Sequence, residues 1–265
     1  MVNLTKIYYF SGTGNSLWSA RKIARSINGE CELINIGTEA QKNEITIEAD
    51  AVVFIFPSYA YGLPLIVHRF IKKAAIKTGY IASFVTFGSN PRGTMGELRR
   101  ILEKKCKVSQ TIDSSTIFFY GRIPAVENYT ALFGSPKATT MERRLAMQKE
   151  ATEEAARCIT ERRTNSVSTF RSFSFLISVL FLLGVKILYR FYRVSGACNG
   201  CGTCAKICPV AAIKLMEGRP VFSGTCEHCQ GCINICPQRA IHFGRVHAAT
   251  PVYHHPEINV NDLQR

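Results

Sequence analysis

The sequence predicts an α/β domain built on a five-stranded parallel sheet, followed by a small α+β domain organised by cysteine. Three observations carry that reading. Strand-like and helix-like patterns alternate through residues 1–165, a glycine- and hydroxyl-rich loop separates the first strand from the first helix, and two four-cysteine runs lie near the C-terminus. A chain of 265 residues is long enough for one large domain and one small one. A hydrophobic content of 46% with 20% charged residues excludes a disordered chain.

The first strand is Lys6–Phe10 and the first helix Leu17–Ile27. Further strand-like runs follow at Glu32–Ile36, Ala51–Phe56, Tyr80–Phe87 and Ser115–Tyr120. Helical patterns cover 64–77, 93–106 and 141–163. Near-continuous apolar strands alternating with helices mean a parallel sheet covered on both faces. Five strands suit the order 2-1-3-4-5, in which a ligand sits beyond the carboxyl ends of strands 1 and 3.

The loops at those ends select the ligand. Ser11-Gly12-Thr13-Gly14-Asn15-Ser16 lies between strand and helix, so a helix N-terminus faces whatever the loop holds. A dinucleotide fingerprint would need glycine where Leu17 stands and an acidic residue near Asn35-Ile36-Gly37. A P-loop would need Gly-Lys-Ser/Thr. Both are missing. Hydroxyls, an amide and backbone N–H groups can neutralise a terminal phosphate, which FMN presents. Pro57-Ser58-Tyr59-Ala60-Tyr61-Gly62 follows the third strand and offers Tyr61 as a stacking surface for the flavin ring. Phe87-Gly88-Ser89-Asn90, with Gly93 shortly after, follows the fourth strand and lets backbone approach the ring edge.

The cysteine runs are Cys198, Cys201, Cys204 and Cys208 with Pro209, then Cys226, Cys229, Cys232 and Cys236 with Pro237. Each reads C-x2-C-x2-C-x3-C-P, the spacing of bacterial [4Fe-4S] ligation, in which the fourth cysteine of each run serves the other cluster. Cys198, Cys201, Cys204 and Cys236 are therefore expected to hold one cluster, and Cys226, Cys229, Cys232 and Cys208 the second. Zinc pairs come as separated C-x2-C units, and a disulfide scaffold has no reason to repeat this register. Eight iron-binding thiolates imply a reducing cytoplasm, with an anaerobe as source. Cys31, Cys106 and Cys158 read as ordinary buried thiols. His228, inside the second run, is expected to tune its cluster by a hydrogen bond.

With these motifs in place, residues 1–165 resemble a flavodoxin and 194–245 a bacterial two-cluster ferredoxin. The combination is similar to the flavodoxin–ferredoxin fusion proteins of anaerobes. That resemblance implies a flavodoxin-like fold carrying FMN, a ferredoxin-like domain carrying two [4Fe-4S] clusters, and electron transfer between them. In that family a Met-Pro-x-Asn-Tyr stretch follows the fifth strand, and Ile123-Pro-Ala-Val-Glu-Asn-Tyr129 resembles it with extra residues. Two functional classes stay open: an electron carrier serving a redox protein, and an FMN-dependent reductase of a small substrate. No acid/base pair is evident beside the flavin loops, which favours the carrier.

The formal charge of +14 is spread along the chain. With no basic helix or aromatic platform it argues against nucleic acid, and it suits an acidic redox partner or an anionic membrane surface. The N-terminus lacks a charged segment followed by a long apolar one, so no signal peptide is expected. Residues 166–193 form an apolar linker helix too short to span a bilayer. Its polar positions Arg171, Ser174, Ser178, Lys186, Arg190 and Arg193 predict a narrow solvent stripe on a helix otherwise buried, between the domains or in a homodimer. An interfacial membrane helix is the alternative. The tail, 246–265, is expected to strap over the first domain.

Overall fold

The computed structural model describes residues 4–91, 93–109, 112–130, 134, 136–169, 173–244 and 246–264. The chain opens with β1 (Leu4–Tyr9), α1 (Asn15–Ser26), β2 (Glu30–Asn35), α2 (Ile36–Glu39), β3 (Thr46–Glu48) and β4 (Ala51–Pro57). It continues through α3 (Leu65–Lys73), β5 (Ala75–Lys77), β6 (Tyr80–Phe87), α4 (Thr94–Lys104), β7 (Ile117–Pro124) and α5 (Ala138–Thr160). Five strands form one parallel sheet in the order β2-β1-β4-β6-β7. That is the flavodoxin-like order, with β3 and β5 paired to each other outside it.

Alternation along the strands builds two cores. Tyr8, Val52, Phe54, Phe56, Ile81 and Val85 face α3 and α4. Their neighbours Ile7, Val53, Ile55, Ala82 and Phe84 face α1 and α5. The central strands β4 and β6 are buried along their length except at the last residue. That is why both read as unbroken apolar runs.

Three boundaries differ from the periodicity. The helix expected over 64–77 stops at Lys73, because Ala75–Lys77 pairs with Thr46–Glu48. The last strand begins at Ile117 because Asp113 ties down Ser115 and Thr116 in a turn. Helix α5 ends before Arg162, which takes a left-handed conformation (φ 45°). Beyond it, Asn165 exchanges two side-chain hydrogen bonds with the Tyr120 backbone and covers the free edge of β7.

The second half contains α6 (Phe173–Leu188), β8 (Arg193–Val194), α7 (Thr203–Lys206), β9 (Ile213–Met216), β10 (Arg219–Phe222), α8 (Gly231–Ile235) and β11 (Ile241–His242). The two antiparallel pairs β9–β10 and β8–β11 frame a compact core of Tyr192, Ala212, Ile213, Ile233 and Ile241 around the cysteines. A fourth cluster joins the halves: Leu17 and Trp18 of α1, Ile207 and Ile235 of the cysteine region, and Ile258 and Leu263 of the tail. The tail does lie on the first domain. His255 stacks on Trp18 with centroids 4.8 Å apart, and the Tyr253 hydroxyl donates to Asn15 Oδ1 at 2.7 Å.

Helix α6 departs from expectation. Ser178 is buried, and its hydroxyl packs against Gly62, where no side chain intervenes. Leu176, Leu180, Leu183 and Ile187 are exposed instead. The helix is therefore not buried on most sides, and its exposed surface is apolar at these four positions, while Lys186, Arg190 and Arg193 are exposed as expected. Arg171 lies outside the described residues. Among the described residues, no helix is long and apolar enough to cross a membrane.

Candidate functional site

The loop between β1 and α1 makes a small polar cavity of about 50 Å³ at the carboxyl ends of the sheet strands. Ser11, Gly12, Thr13, Asn15 and Ser16 line it, with Pro57, Ser58 and Tyr59 from one side and Phe87 and Gly88 from another. Gly14 takes φ 99°, a conformation that suits glycine, and its N–H donates to Ser11 Oγ at 3.1 Å. The first-turn N–H groups of α1 have no partner within the helix and add positive potential there. The cavity fits a phosphate in donor chemistry and place.

One detail of the sequence reading changes. The side chain of Asn15 does not serve the cavity: Nδ2 donates to Val126 O at 3.0 Å, and Oδ1 accepts from Tyr253. The amide that joins the cradle is Asn128, whose Nδ2 donates to Thr13 Oγ1 at 2.9 Å. Thr86 is a second addition, bonded to Ser16 at 2.8 Å. Residues 125–128 also line the cavity. The Pro-x-Asn-Tyr-like stretch after β7 was the available signal, obscured by its extra residues.

A larger cleft of about 460 Å³ adjoins the cradle. Tyr59, Ala60, Tyr61, Ser89 and Asn90 form walls, and Glu127 and Tyr129 form another. Ala60 and Tyr61 hold positive φ (45° and 68°), a turn closed by paired backbone bonds between Tyr59 and Gly62. Gly62 and Gly93 line neither cavity; they shape the loop and the start of α4. Ile177 and Phe181 of α6 and His228, Cys229 and Gln230 of the second cysteine run complete the enclosure.

The cysteines gather in two sets. Cys198, Cys201, Cys204 and Cys236 line one cavity. In the other set, Cys208 and Cys226 lie within electrostatic reach of Cys229 and Cys232. Each set draws cysteines from both runs. The two halves are built alike: Ala212 N–H donates to Cys208 Sγ at 3.2 Å and Ala240 N–H to Cys236 Sγ at 3.3 Å. His228 contributes its backbone N–H to Cys226 Sγ at 3.4 Å, while its ring bridges the hydroxyls of Tyr129 and Tyr192, both at 2.8 Å. The hydrogen bond to sulfur thus comes from the main chain, not the imidazole. Burial holds that ring neutral, with its pKa lowered to about 4. Cys158 is buried, whereas Cys31 and Cys106 are half-buried.

The chemistry of this donor set fits an iron–sulfur cluster. Burial pushes the Cys204 and Cys226 thiols up to about 11, so ionised sulfur at this depth needs a cationic core to offset desolvation. Among the described residues, no group of three or more His, Cys, Asp or Glu is set as a single metal ion would require. Four thiolates on one zinc would stand only about 3.7 Å apart. The Tyr59 hydroxyl is buried without a hydrogen-bond partner, within electrostatic reach of Cys229 and Cys226.

Two family models described as 4Fe-4S binding domain match residues 192–214 and 223–243. The C-terminal half carries two 4Fe-4S binding domains. This iron–sulfur module touches the cradle directly. A Cβ on Gly12 would stand 2.7 Å from the Cys229 carbonyl oxygen, and one on Gly231 would stand 2.6 Å from the Gly12 carbonyl oxygen. Asn234 Nδ2 donates to Asn128 O at 3.2 Å, and Arg69 of α3 pairs with buried Glu227 at 3.0 Å. Loss of solvent raises that carboxyl to about 7, against the pull of Arg69.

Among solved structures, the chain is similar to a flavodoxin from Streptococcus pneumoniae TIGR4, at 13% identity over 60% of this chain and 99% of that one (TM-score 0.36). It is also similar to an azoreductase from Bacillus anthracis, at 11% identity over 59% and 99% (TM-score 0.38). The two-electron reduced flavodoxin of Megasphaera elsdenii aligns at 18% identity over 58% and 98% (TM-score 0.32). No curated protein matches the chain significantly. The flavodoxin-like assignment rests on the strand order itself. A flavodoxin-like sheet joined to two 4Fe-4S domains is an electron-transfer architecture.

Proposed function

We propose that this chain carries electrons between a redox protein partner and an FMN through two [4Fe-4S] clusters. Cys198, Cys201, Cys204 and Cys236 would hold the outer cluster, and Cys226, Cys229, Cys232 and Cys208 the inner one. Residues 11–16 with Asn128 would hold the phosphate, and the cleft beside Tyr61 the flavin ring. The observation that carries this reading is the contact between Gly12 and the Cys229–Gly231 loop. It makes the wall of the inner thiol set also a wall of the flavin cleft.

Bound there, the flavin and the clusters supply exchange between two-electron and one-electron chemistry. The residues provide position and shielding. Cys201 of the outer set is exposed, whereas Cys208 of the inner set is buried and Cys229 lines the cleft. The outer set therefore faces the partner and the inner set faces the cleft. Main-chain N–H groups at Ala212, Ala240 and His228 donate to thiolate sulfur and favour its charged form. Exposed Lys206, within electrostatic reach of Cys201 in the outer set, favours an acidic partner. Ile177 and Phe181 present apolar surface to the cleft.

Anaerobic purification followed by iron, sulfide and flavin analysis tests the cofactor content. About eight irons and one FMN per chain are expected, with reduced-cluster EPR signals. Colourless protein, or zinc in place of iron, would refute the proposal. The second reading, an FMN-dependent reductase, draws on one observation: Glu127, Tyr129 and His228 share the cleft. Rapid oxidation of the reduced protein by a small molecule, with no protein partner present, would decide for it.

A further inference from the structure

The outer face of α6 is an apolar ridge that is left exposed among the described residues. Leu176, Leu180, Leu183 and Ile187 follow the i, i+4, i+7, i+11 spacing that stacks side chains along one helix face. They are between 49% and 62% exposed, and Phe191 continues the line at 58%. On the opposite face Ser178 and Val185 are buried, and Ile177 and Phe181 wall the flavin cleft. The helix is thus held by its inner face while the outer one is presented.

Charge decides what the ridge meets. From Arg162 to Met216 there is no aspartate or glutamate, while eight lysines and arginines fall in that stretch. Lys186, Arg190 and Arg193 are all exposed around the C-terminal end of the ridge. A groove of about 490 Å³ opens beside that end, lined by Leu188, Phe191, Arg193, His242, Phe243 and His247. The helix has 16 residues and does not span a bilayer. Leucines and phenylalanine on one side with cations at the border are the pattern of a helix lying in the lipid headgroup region.

We infer that α6 seats the protein on an anionic membrane surface, with Leu176, Leu180, Leu183 and Ile187 in the acyl boundary and Lys186, Arg190 and Arg193 among the phosphates. The groove beside Phe191, with Arg193, His242 and His247 in its lining, receives part of an anionic headgroup. Because the inner face of α6 walls the cleft, such seating places the redox centres next to the lipid surface.

The test uses the anaerobically purified holoprotein, co-sedimented with vesicles of phosphatidylcholine alone or mixed with phosphatidylglycerol. The protein is expected to pellet with the mixed vesicles, to bind neutral ones weakly, and to be released by salt. Leu180→Gln with Leu183→Gln should lower partitioning about tenfold or more. Lys186→Gln and Arg190→Gln should each lower binding to anionic vesicles about fivefold. Unchanged iron and flavin contents would show that the variants remain folded. Protein that stays in the supernatant with both vesicle types overturns the inference, as does binding that survives the leucine substitutions. A lipid-free dimer in sedimentation velocity that the leucine variants dissociate would assign the ridge to a second copy instead.

Discussion

The contact between the phosphate loop and the inner cysteine loop can be opened with single methyl groups. In Gly12→Ala the new Cβ would meet the Cys229 carbonyl oxygen at 2.7 Å and Cys229 Cβ at 3.0 Å. In Gly231→Ala it would meet the Gly12 carbonyl oxygen at 2.6 Å. Ordinary contact begins near 3.4 Å, so each methyl must drive backbone away from backbone by about 0.7 Å, with no flexible side chain to absorb the shift. Overpacking of this kind costs about 1–3 kcal/mol. For a chain of this size that is a melting shift of about 2–10 °C. Gly196→Ala serves as the control, since its Cβ would meet nothing within 4 Å. Thermal unfolding of the anaerobic holoprotein reads the stability, and stopped-flow reduction with flavin and cluster absorbance read separately gives the internal transfer rate. Both variants should slow that transfer, and the double variant should cost less than the sum of the two because both open one interface. Gly12→Ala and Gly231→Ala proteins as stable as Gly196→Ala, with unchanged transfer, would refute the contact.

Cys236→Ser should remove about four irons per chain and the signal of the cluster built on Cys198, Cys201 and Cys204; loss of the other cluster's signal would contradict crossed ligation. Burial lowers the pKa of His255 to about 4 from an ordinary 6.5, so below that ordinary value the unfolded chain binds the proton and the folded one resists it. Stability should therefore fall with pH, by about 2 kcal/mol between about pH 7 and about pH 5, read as the difference in urea midpoint from His255→Gln, which lacks the effect. Asn234→Leu should cost about 2–5 kcal/mol in thermal unfolding, since it leaves Tyr253 N–H and Asn128 O without their partner. Gly184→Ala should raise the melting point, because its Cβ has open space in mid-helix and alanine gains about 0.5–1 kcal/mol there.

Much of this protein was legible because its signals are local. Strand alternation, the hydroxyl-rich loop and the two cysteine runs each lie within a dozen residues, and the parallel sheet forms in the expected order. The errors arise where tertiary contact decides. Asn15 reads as a phosphate donor, yet the tail brings Tyr253 to its Oδ1 and the stretch after β7 brings Val126 O to its amide. Ser178 reads as a solvent position because it is polar, but it is small, and Gly62 opposite it leaves room for the hydroxyl to go inward. With Ser178 inward, Leu176, Leu180, Leu183 and Ile187 face outward beside the exposed Lys186 and Arg190. A helix apolar nearly all round gives hydropathy no way to choose its face.

The relation between the two halves is the part no local pattern carries. Their covalent connection runs through residues 161–193, but the contacts that hold them together lie elsewhere. Leu17 and Trp18 come from the start of the chain, Ile207 and Ile235 from the cysteine region, and Ile258 and Leu263 from its end. Asn234 of the cysteine region ties the stretch after β7 to the tail, donating to Asn128 O and accepting from Tyr253 N–H. Within that junction Gly12 and Gly231 leave two backbones free to touch, so the inner thiol set shares a wall with the cleft. The tail is therefore part of the electron-transfer architecture, not an appendage. It packs the iron–sulfur module against the start of α1, and under the proposed function that contact would set the separation of the redox groups.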